Sequence, residues 1–304
     1  MKPVIEYQAE LNDMIEFPNI SPEIFSLNLF GFQLALRWYA LSYIMGFVCA
    51  LHIMRIYLRR DHLWRRKVAP MEVYQADDLL TYLILGVILG GRIGYVLFYN
   101  LEFYLANPFD VLRIWDGGMA FHGGFLGVVF ALIYFCVRNG VQLMPMADLL
   151  ALASPPGLLF GRVANFINAE LWGRPTDVSW GVIFPGARAQ DCPGVVGACA
   201  RHPSQLYEAG LEGLVLFVIL LLVAALGGLR RPGLLAGIFV AGYGAARYFV
   251  EFFRVPDAQF FSADNPFGFA YRLGEFGVTM GQTLSIPMIL VGLLFITSAM
   301  LRGR

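Results

Sequence analysis

The sequence predicts an all-α integral membrane protein of about seven transmembrane helices, and three observations predict it. Hydrophobic residues fill 58% of the 304 positions and charged residues only 14%, with a mean hydropathy of +0.63, outside the range of water-soluble globular chains. Seven stretches are apolar and long enough to cross a hydrocarbon core about 30 Å thick, which takes about 20 helical residues. Lysines and arginines gather at alternate ends of those stretches. The 22 basic and 22 acidic residues cancel, so no bulk field recommends nucleic acid as a partner.

The first span covers residues 36–58 and runs into Arg55, Arg59, Arg60, Arg65, Arg66 and Lys67. The second, 79–99, carries Gly86, Gly90 and Gly94 at the spacing of a helix-packing face. Arg138 follows the third, 119–137. The fourth, 149–167, adds Gly157 and Gly161 as packing glycines, while Pro155 and Pro156 should break or kink it. Asp148 at its start reads as a helix cap. Arg230 and Arg231 follow the fifth, 206–226; the sixth covers 234–253; Arg302 and Arg304 close the seventh, 282–301.

Cations in short loops mark cytoplasmic ends. The N-terminus and the loops 100–118, 172–205 and 254–281 therefore face outward, the C-terminus lies in the cytoplasm, and the outward loops would build a small periplasmic head on a single polytopic domain, 1–304. Glu6, Glu10, Asp13, Glu16 and Glu23 stand against Lys2 alone, without the basic n-region of a cleaved signal peptide. Cys192 and Cys199 share one outward loop, where a bacterial cell is oxidising, so a disulfide is expected. Cys49 and Cys136 fall in apolar runs and read as packing residues.

Charges inside the spans point to chemistry, because an ionised side chain at the bilayer centre costs about 2.5–3.5 kcal/mol. Arg92, Arg162 and Arg247 each lie thirteen residues from the cytoplasmic end of a span, about 20 Å up the helix. Tyr39, His122 and Glu208 reach the same level from the outer ends. Arg162, Asn165 and Asn168 advance by three, with Glu170 just beyond, and Tyr243, Arg247 and Glu251 advance by four, so each set shares a helix face. One such arginine is explained by snorkelling to the headgroups. Three on separate helices, with carboxylates, amides and a histidine at their level, describe a cationic pocket open to the outer leaflet. Its guest is a phosphate, which the arginine fork binds bidentately, and in a membrane the phosphate belongs to a phospholipid.

An organic-anion transporter, or a phospholipid-binding protein without catalysis, is the alternative reading, since buried arginines and broken helices also mark substrate paths. Against a transporter, the charges occupy one half of the bilayer and no inverted repeat is visible. Lys2 and Lys67 are the only lysines, which excludes a retinal Schiff base. His52, His62, His122 and His202 are scattered over different segments, so neither metal nor cofactor is expected.

The stretch Gly161-Arg162-Val163-Ala164-Asn165-Phe166-Ile167-Asn168-Ala169-Glu170-Leu171-Trp172-Gly173 resembles the signature of the prolipoprotein diacylglyceryl transferase family. Supporting it in the same order are Arg37-Trp38-Tyr39, Gly90-Gly91-Arg92-Ile93-Gly94-Tyr95, the run from Trp115 through His122 to Gly124, Arg201-His202-Pro203-Ser204-Gln205-Leu206-Tyr207-Glu208, and Gly242-Tyr243-Gly244-Ala245-Ala246-Arg247. Ala169 stands where the signature is expected to carry Gly, and Arg37 where a His is common. The resemblance implies transfer of the diacylglyceryl group of phosphatidylglycerol to the lipobox cysteine of a preprolipoprotein, the first step of bacterial lipoprotein maturation, in the inner membrane with the active site toward the periplasmic leaflet. On this reading Arg162 and Arg247 stabilise the leaving phosphate and His122 is the general base. Asn165, Asn168, Glu170, Gly173, Tyr39, Tyr243, Glu251 and Arg92 join Arg162 in holding the lipid, and His202 and Glu208 contact peptide or headgroup.

Overall fold

A computed structural model describes residues 14–29, 32–192, 195, 197–256, 258–260, 262, 264–265, 267–274 and 276–302. Lys2, Glu6, Glu10, Asp13 and Arg304 lie outside the described residues. Among the described residues six helical stretches are long and apolar enough to cross a membrane, and a seventh is shorter. They are α1 (Trp38–Leu58), α2 (Gln75–Tyr99), the pair α4 (Phe121–Asn139) and α5–α6 (Leu143–Ala153 and Pro155–Ile167), the stretch α8–α9 (Ser204–Glu208 and Leu216–Ala225), the shorter α10 (Leu234–Val250), and α11 (Met280–Arg302). Between them lie the short α3 (Leu101–Ala106) and α7 (Ala187–Gln190). The chain is a multi-pass membrane protein.

Its described residues fall into two compact units. One draws on Ala50–Ala153, Val223–Ala236 and Ser298–Arg304. In it α2 packs on α4 through glycines: a Cβ at Gly86 would come within 2.9 Å of the Ala131 Cβ, and one at Gly94 within 2.8 Å of the Gly123 Cα. Beside that seam Leu85, Leu89, Ile93 and Leu97 recur every four residues and are all exposed, because their solvent is hydrocarbon and no water drives them inward. The fourth crossing starts six residues earlier than expected, at Leu143, which puts Asp148 inside α5. Asp148 is wholly buried, and it caps a different helix from the one expected. Its carboxylate accepts from the Gly233 and Ala236 amides at 2.7 and 2.8 Å, closing the N-terminus of α10.

The other unit draws on Met1–Cys49, Ser154–Leu222 and Gly237–Thr297. β2 (Glu23–Leu29) and β3 (Phe32–Arg37) form an antiparallel hairpin that runs directly into α1. The helical run is interrupted at Ser154, and α6 restarts on the proline pair, since a proline at the first helical positions forfeits only an amide with no partner to lose. Gly157 faces Gly46, whereas a Cβ at Gly161 would meet nothing within 4 Å, so only the first of this pair is a packing glycine.

After α6 the chain turns sharply through Ala169 and Leu171, at φ 52° and 56°. β1 (Ile15–Glu16) pairs in parallel with β4 (Val182–Ile183), and Phe17, Phe166 and Trp172 pack around buried Val182, Phe184 and Ala189. Cys192 and Cys199 are joined as a disulfide, with Cys49 and Cys136 free. β5 (Tyr271–Leu273) and β6 (Phe276–Val278) make a second hairpin ahead of α11.

The crossing from Ser204 to Ala225 is not uniform. Residues Ala209–Val215 wind as a π-helix, a wider turn that helices adopt mostly at functional sites. A Cβ at Gly213 would press to within 2.7 Å of the Leu159 Cβ, so glycine there lets this segment close on α6. α10 ends at Val250, three residues before the expected boundary; a turn carries Glu251, and Arg254 beyond it bridges to Gly173.

Candidate active site

Three guanidiniums and three carboxylates converge in the unit that holds α6, α8 and α10 from Gly237 onward. Arg162, eight positions into α6, sends Nη1 to Glu208 Oε2 at 3.0 Å and Nη2 to Glu212 Oε2 at 3.2 Å. Arg247 on α10 donates through Nη1 to Glu208 Oε1 at 3.0 Å and pairs through Nη2 with Glu251 at 2.9 Å, four residues on and just past the end of α10. Arg254 donates to the same Glu208 Oε1 at 2.7 Å, and its Nε stands 3.7 Å from Glu251. Glu251 is held from its other oxygen by the Thr279 hydroxyl at 3.1 Å.

Exposure is graded across this cluster. The arginine side chains retain 19–21% of their surface, while Glu208 and Glu212 retain none and Glu251 retains 7%. The guanidiniums therefore form the accessible layer and the carboxylates stand behind them, orienting each fork. Breaking a buried pair by removing one partner costs about 3–5 kcal/mol, so the carboxylates hold the arginines in place in a setting where unpaired charge is not tolerated. Fixed forks in a partly desolvated site are what bidentate capture of a phosphate needs.

An amide and hydroxyl system lies beside the arginines on the same helix. Asn165, one turn after Arg162, donates through Nδ2 to the Tyr39 hydroxyl and, at 2.8 Å, to Glu170 Oε1. Glu170 accepts from Asn165 because the left-handed turn at Ala169 folds it back toward α6. Burial pushes its carboxyl above the usual range. Asn168 Nδ2 is buried and has no hydrogen-bond partner among the described residues. Tyr243, one turn before Arg247, lies within electrostatic reach of Arg162 and Glu212.

Gly173 follows the turn, where its amide donates to the His202 carbonyl at 2.9 Å. A Cβ there would collide with the Phe253 carbonyl and with His202 at 2.8 Å, so the close approach of three strands of chain requires glycine. His202 is a packing residue in this arrangement. Its ring lies 5.0 Å from that of Phe253, its Nδ1 is 3.1 Å from the Tyr207 hydroxyl, and burial lowers its pKa against a weaker opposing pull from Asp177. Glu208, paired in the sequence reading with His202 as a peptide or headgroup contact, is instead the hub of the arginine cluster.

Arg92 and His122 belong to the other unit. Arg92 was grouped with the lipid-binding arginines, but all its donors are committed: Nε to Val111, Nη1 to Gly117 and Gly118, and Nη2 to Asp110 and Arg113, all backbone carbonyls at 2.6–3.2 Å. A guanidinium has five N–H groups, so none is left for phosphate. It ties down the loop between α3 and α4. His122 is the second residue of α4 and is exposed, with its ring edge-on to Phe121 at 5.7 Å.

Sequence reasoning missed Glu212 and Arg254. Glu212 lies four residues after Glu208 inside an apolar run, and a carboxylate at that depth was itself a signal. Arg254 falls one residue past the expected end of its span and resembled an interfacial cation.

Residues 26–298 match the sequence model of the family described as prolipoprotein diacylglyceryl transferase. A protein of Cereibacter sphaeroides named phosphatidylglycerol–prolipoprotein diacylglyceryl transferase is 60% identical over 291 residues, 95% of this chain and 98% of the relative. Relatives of the same name from Ruegeria pomeroyi and Bradyrhizobium diazoefficiens are 58% and 46% identical, covering 96% and 95% of this chain and 98% and 95% of their own. With the signature wrapped around the arginine cluster and nearly the whole chain aligned, this protein belongs to the prolipoprotein diacylglyceryl transferase family.

Proposed function

We propose that the arginine cluster is the site at which this chain transfers the diacylglyceryl group of phosphatidylglycerol to the lipobox cysteine of a preprolipoprotein. The observation that supports this most directly is the pair Arg162 and Arg247, facing outward from a layer of buried carboxylates. Sulfur attacks a glyceryl carbon, a thioether C–S bond forms, and the C–O bond to phosphate breaks with glycerol phosphate leaving. Negative charge grows on that phosphate, and preoriented N–H donors are worth most where charge develops. Arg162 and Arg247 take this role, and Asn168 supplies an amide donor whose N–H bonds are not already taken. Asn165 and Tyr39, tied to each other, contact the glyceryl oxygens, and Glu251 holds Arg247. Tyr243 and Gly173 complete the lipid seat. His122 accepts the thiol proton, since an imidazole with an unperturbed pKa near 6.5 exchanges protons at neutral pH.

The reaction belongs to the outer half of the bacterial inner membrane. Arg55, Arg59 and Arg60 at the end of α1, Arg138 in the last turn of α4 and Arg230 and Arg231 after α9 support a cytoplasmic position for those ends, and Arg162 and Arg247 lie toward the opposite ends of their helices. Purified protein incubated with phosphatidylglycerol and a synthetic lipobox peptide is expected to add a diacylglyceryl mass to the peptide and release glycerol phosphate. Arg162→Ala, folded, is expected to do neither. Undiminished transfer by Arg162→Ala would remove the cluster from the chemistry.

A further inference from the structure

Glu212 has no part in the mechanism above, yet it is fully buried against the arginine that receives the phosphate. We infer that binding of the lipid phosphate at Arg162 is coupled to uptake of one proton by Glu212, a step that rests on the phosphatidylglycerol reading of the site.

Three guanidiniums and three carboxylates make the resting cluster formally neutral. A phosphodiester brings one negative charge into this partly desolvated site, and an uncompensated charge there is strongly disfavoured. A carboxylate that takes a proton restores neutrality. The three carboxylates are not equivalent. Glu208 is held by Arg162, Arg247 and Arg254 together, and Glu251 by Arg247, Arg254 and the Thr279 hydroxyl. Glu212 has Arg162 alone, at the longer distance of 3.2 Å, and its Oε1 is buried with no hydrogen-bond partner among the described residues.

The fork that must turn to the phosphate is the one that holds Glu212. Arg162 spends Nη1 on Glu208 and Nη2 on Glu212, so bidentate contact with phosphate releases at least one of them. Releasing Glu208 leaves it two arginines; releasing Glu212 leaves it none. The charged groups that face Glu212 are Arg162 from α6, Glu208 from one turn earlier, and Tyr243 and Arg247 from α10. None of them supplies a second short cationic contact. The π-helix Ala209–Val215 and the tight approach of Gly213 to Leu159 keep Glu212 on the side of α6, so it cannot swing out to water.

The test is calorimetric titration of short-chain phosphatidylglycerol into the detergent-solubilised protein, in buffers of unlike ionisation enthalpy, between about pH 6 and about pH 9. The ligand's phosphodiester does not titrate in that range, so protons taken up come to the protein. The parent is expected to take up close to one proton per lipid and to lose affinity about tenfold per pH unit on the alkaline side. Glu212→Gln, neutral at every pH, is expected to bind with no uptake and a flat profile, while His202→Gln keeps the parent's uptake. A parent that binds with no uptake, or a Glu212→Gln protein with the parent's uptake, overturns the inference. Infrared difference spectra of the parent in H2O and D2O supply the same test without a variant: lipid must raise a carboxyl band that shifts in D2O, as the lipid's own ester carbonyls do not, and the absence of a shifting band overturns the proposal. Lipid binding undiminished in Arg162→Ala would instead refute the phosphate site itself, and the coupling with it.

Discussion

Arg162→Lys separates the shape of the phosphate-binding group from its charge. In the structure Nη1 and Nη2 of Arg162 reach two carboxylates at once, 3.0 Å to Glu208 and 3.2 Å to Glu212. An ammonium is a single point on a flexible stem and reaches one of them. The folded protein then loses one charge-assisted hydrogen bond, nominally about 1.5–3 kcal/mol, and the 20% exposure of this side chain argues for the lower end because water screens what is lost. Net charge is unchanged, so the cluster stays neutral and the protein stays folded. Transfer suffers more. Removing one preoriented donor from a developing oxyanion costs about 10²–10³ in turnover, or about 2.7–4 kcal/mol. Mass analysis of a lipobox peptide, with thermal melting as the check on folding, is expected to show a fall of that size with a modest loss of stability. Turnover within about threefold of the parent, a difference of less than about 1 kcal/mol, would refute bidentate holding of the phosphate by Arg162.

His122→Gln is expected to lower turnover by about 10²–10⁴ with little change in lipid affinity, and parent-like turnover would take the general-base role from it. Arg92→Lys gives up most of a five-donor carbonyl cage, so roughly 3 kcal/mol of local stability should be lost, read as faster proteolysis within residues 107–118. Its KM for phosphatidylglycerol should stay put; a selective rise in KM without new cleavage would return Arg92 to the lipid site. Ala169→Gly relieves a left-handed residue at φ 52° and should stabilise the protein by about 1 kcal/mol in a melting experiment; a loss of stability would contradict that backbone conformation. His202 carries a pKa that burial holds below its ordinary 6.5. Between the lowered value and 6.5 the unfolded chain binds more protons than the folded one, so stability rises with pH across that window and is lost as pH falls through it. His202→Phe should flatten this dependence, and an unchanged profile would refute it.

The spans were legible because a bilayer imposes a long apolar run that little else in a chain requires, and the glycine seam of α2 because small residues recur where backbones touch. Within one helix the site was legible too. Arg162 with Asn165, and Arg247 with Glu251, share faces by spacing alone. What the sequence withheld was pairing between helices. Glu208 stood two residues inside a span, at the level of the arginines, and is the hub of three of them. Glu212 went unread, although an arginine in hydrocarbon requires a counter-ion and the acids available to Arg162 and Arg247 within the spans were few. That rule of compensation locates Glu208, Glu212 and Glu251 together, and it fails for Arg92 for a physical reason. A guanidinium is satisfied as well by five carbonyls as by a carboxylate, and carbonyl positions depend on loop conformation, which side-chain identity does not encode. An intramembrane arginine therefore announces a site only when acids stand within reach on a facing helix. When a glycine-bearing loop follows, as Gly117 and Gly118 follow Arg92, the arginine announces the loop.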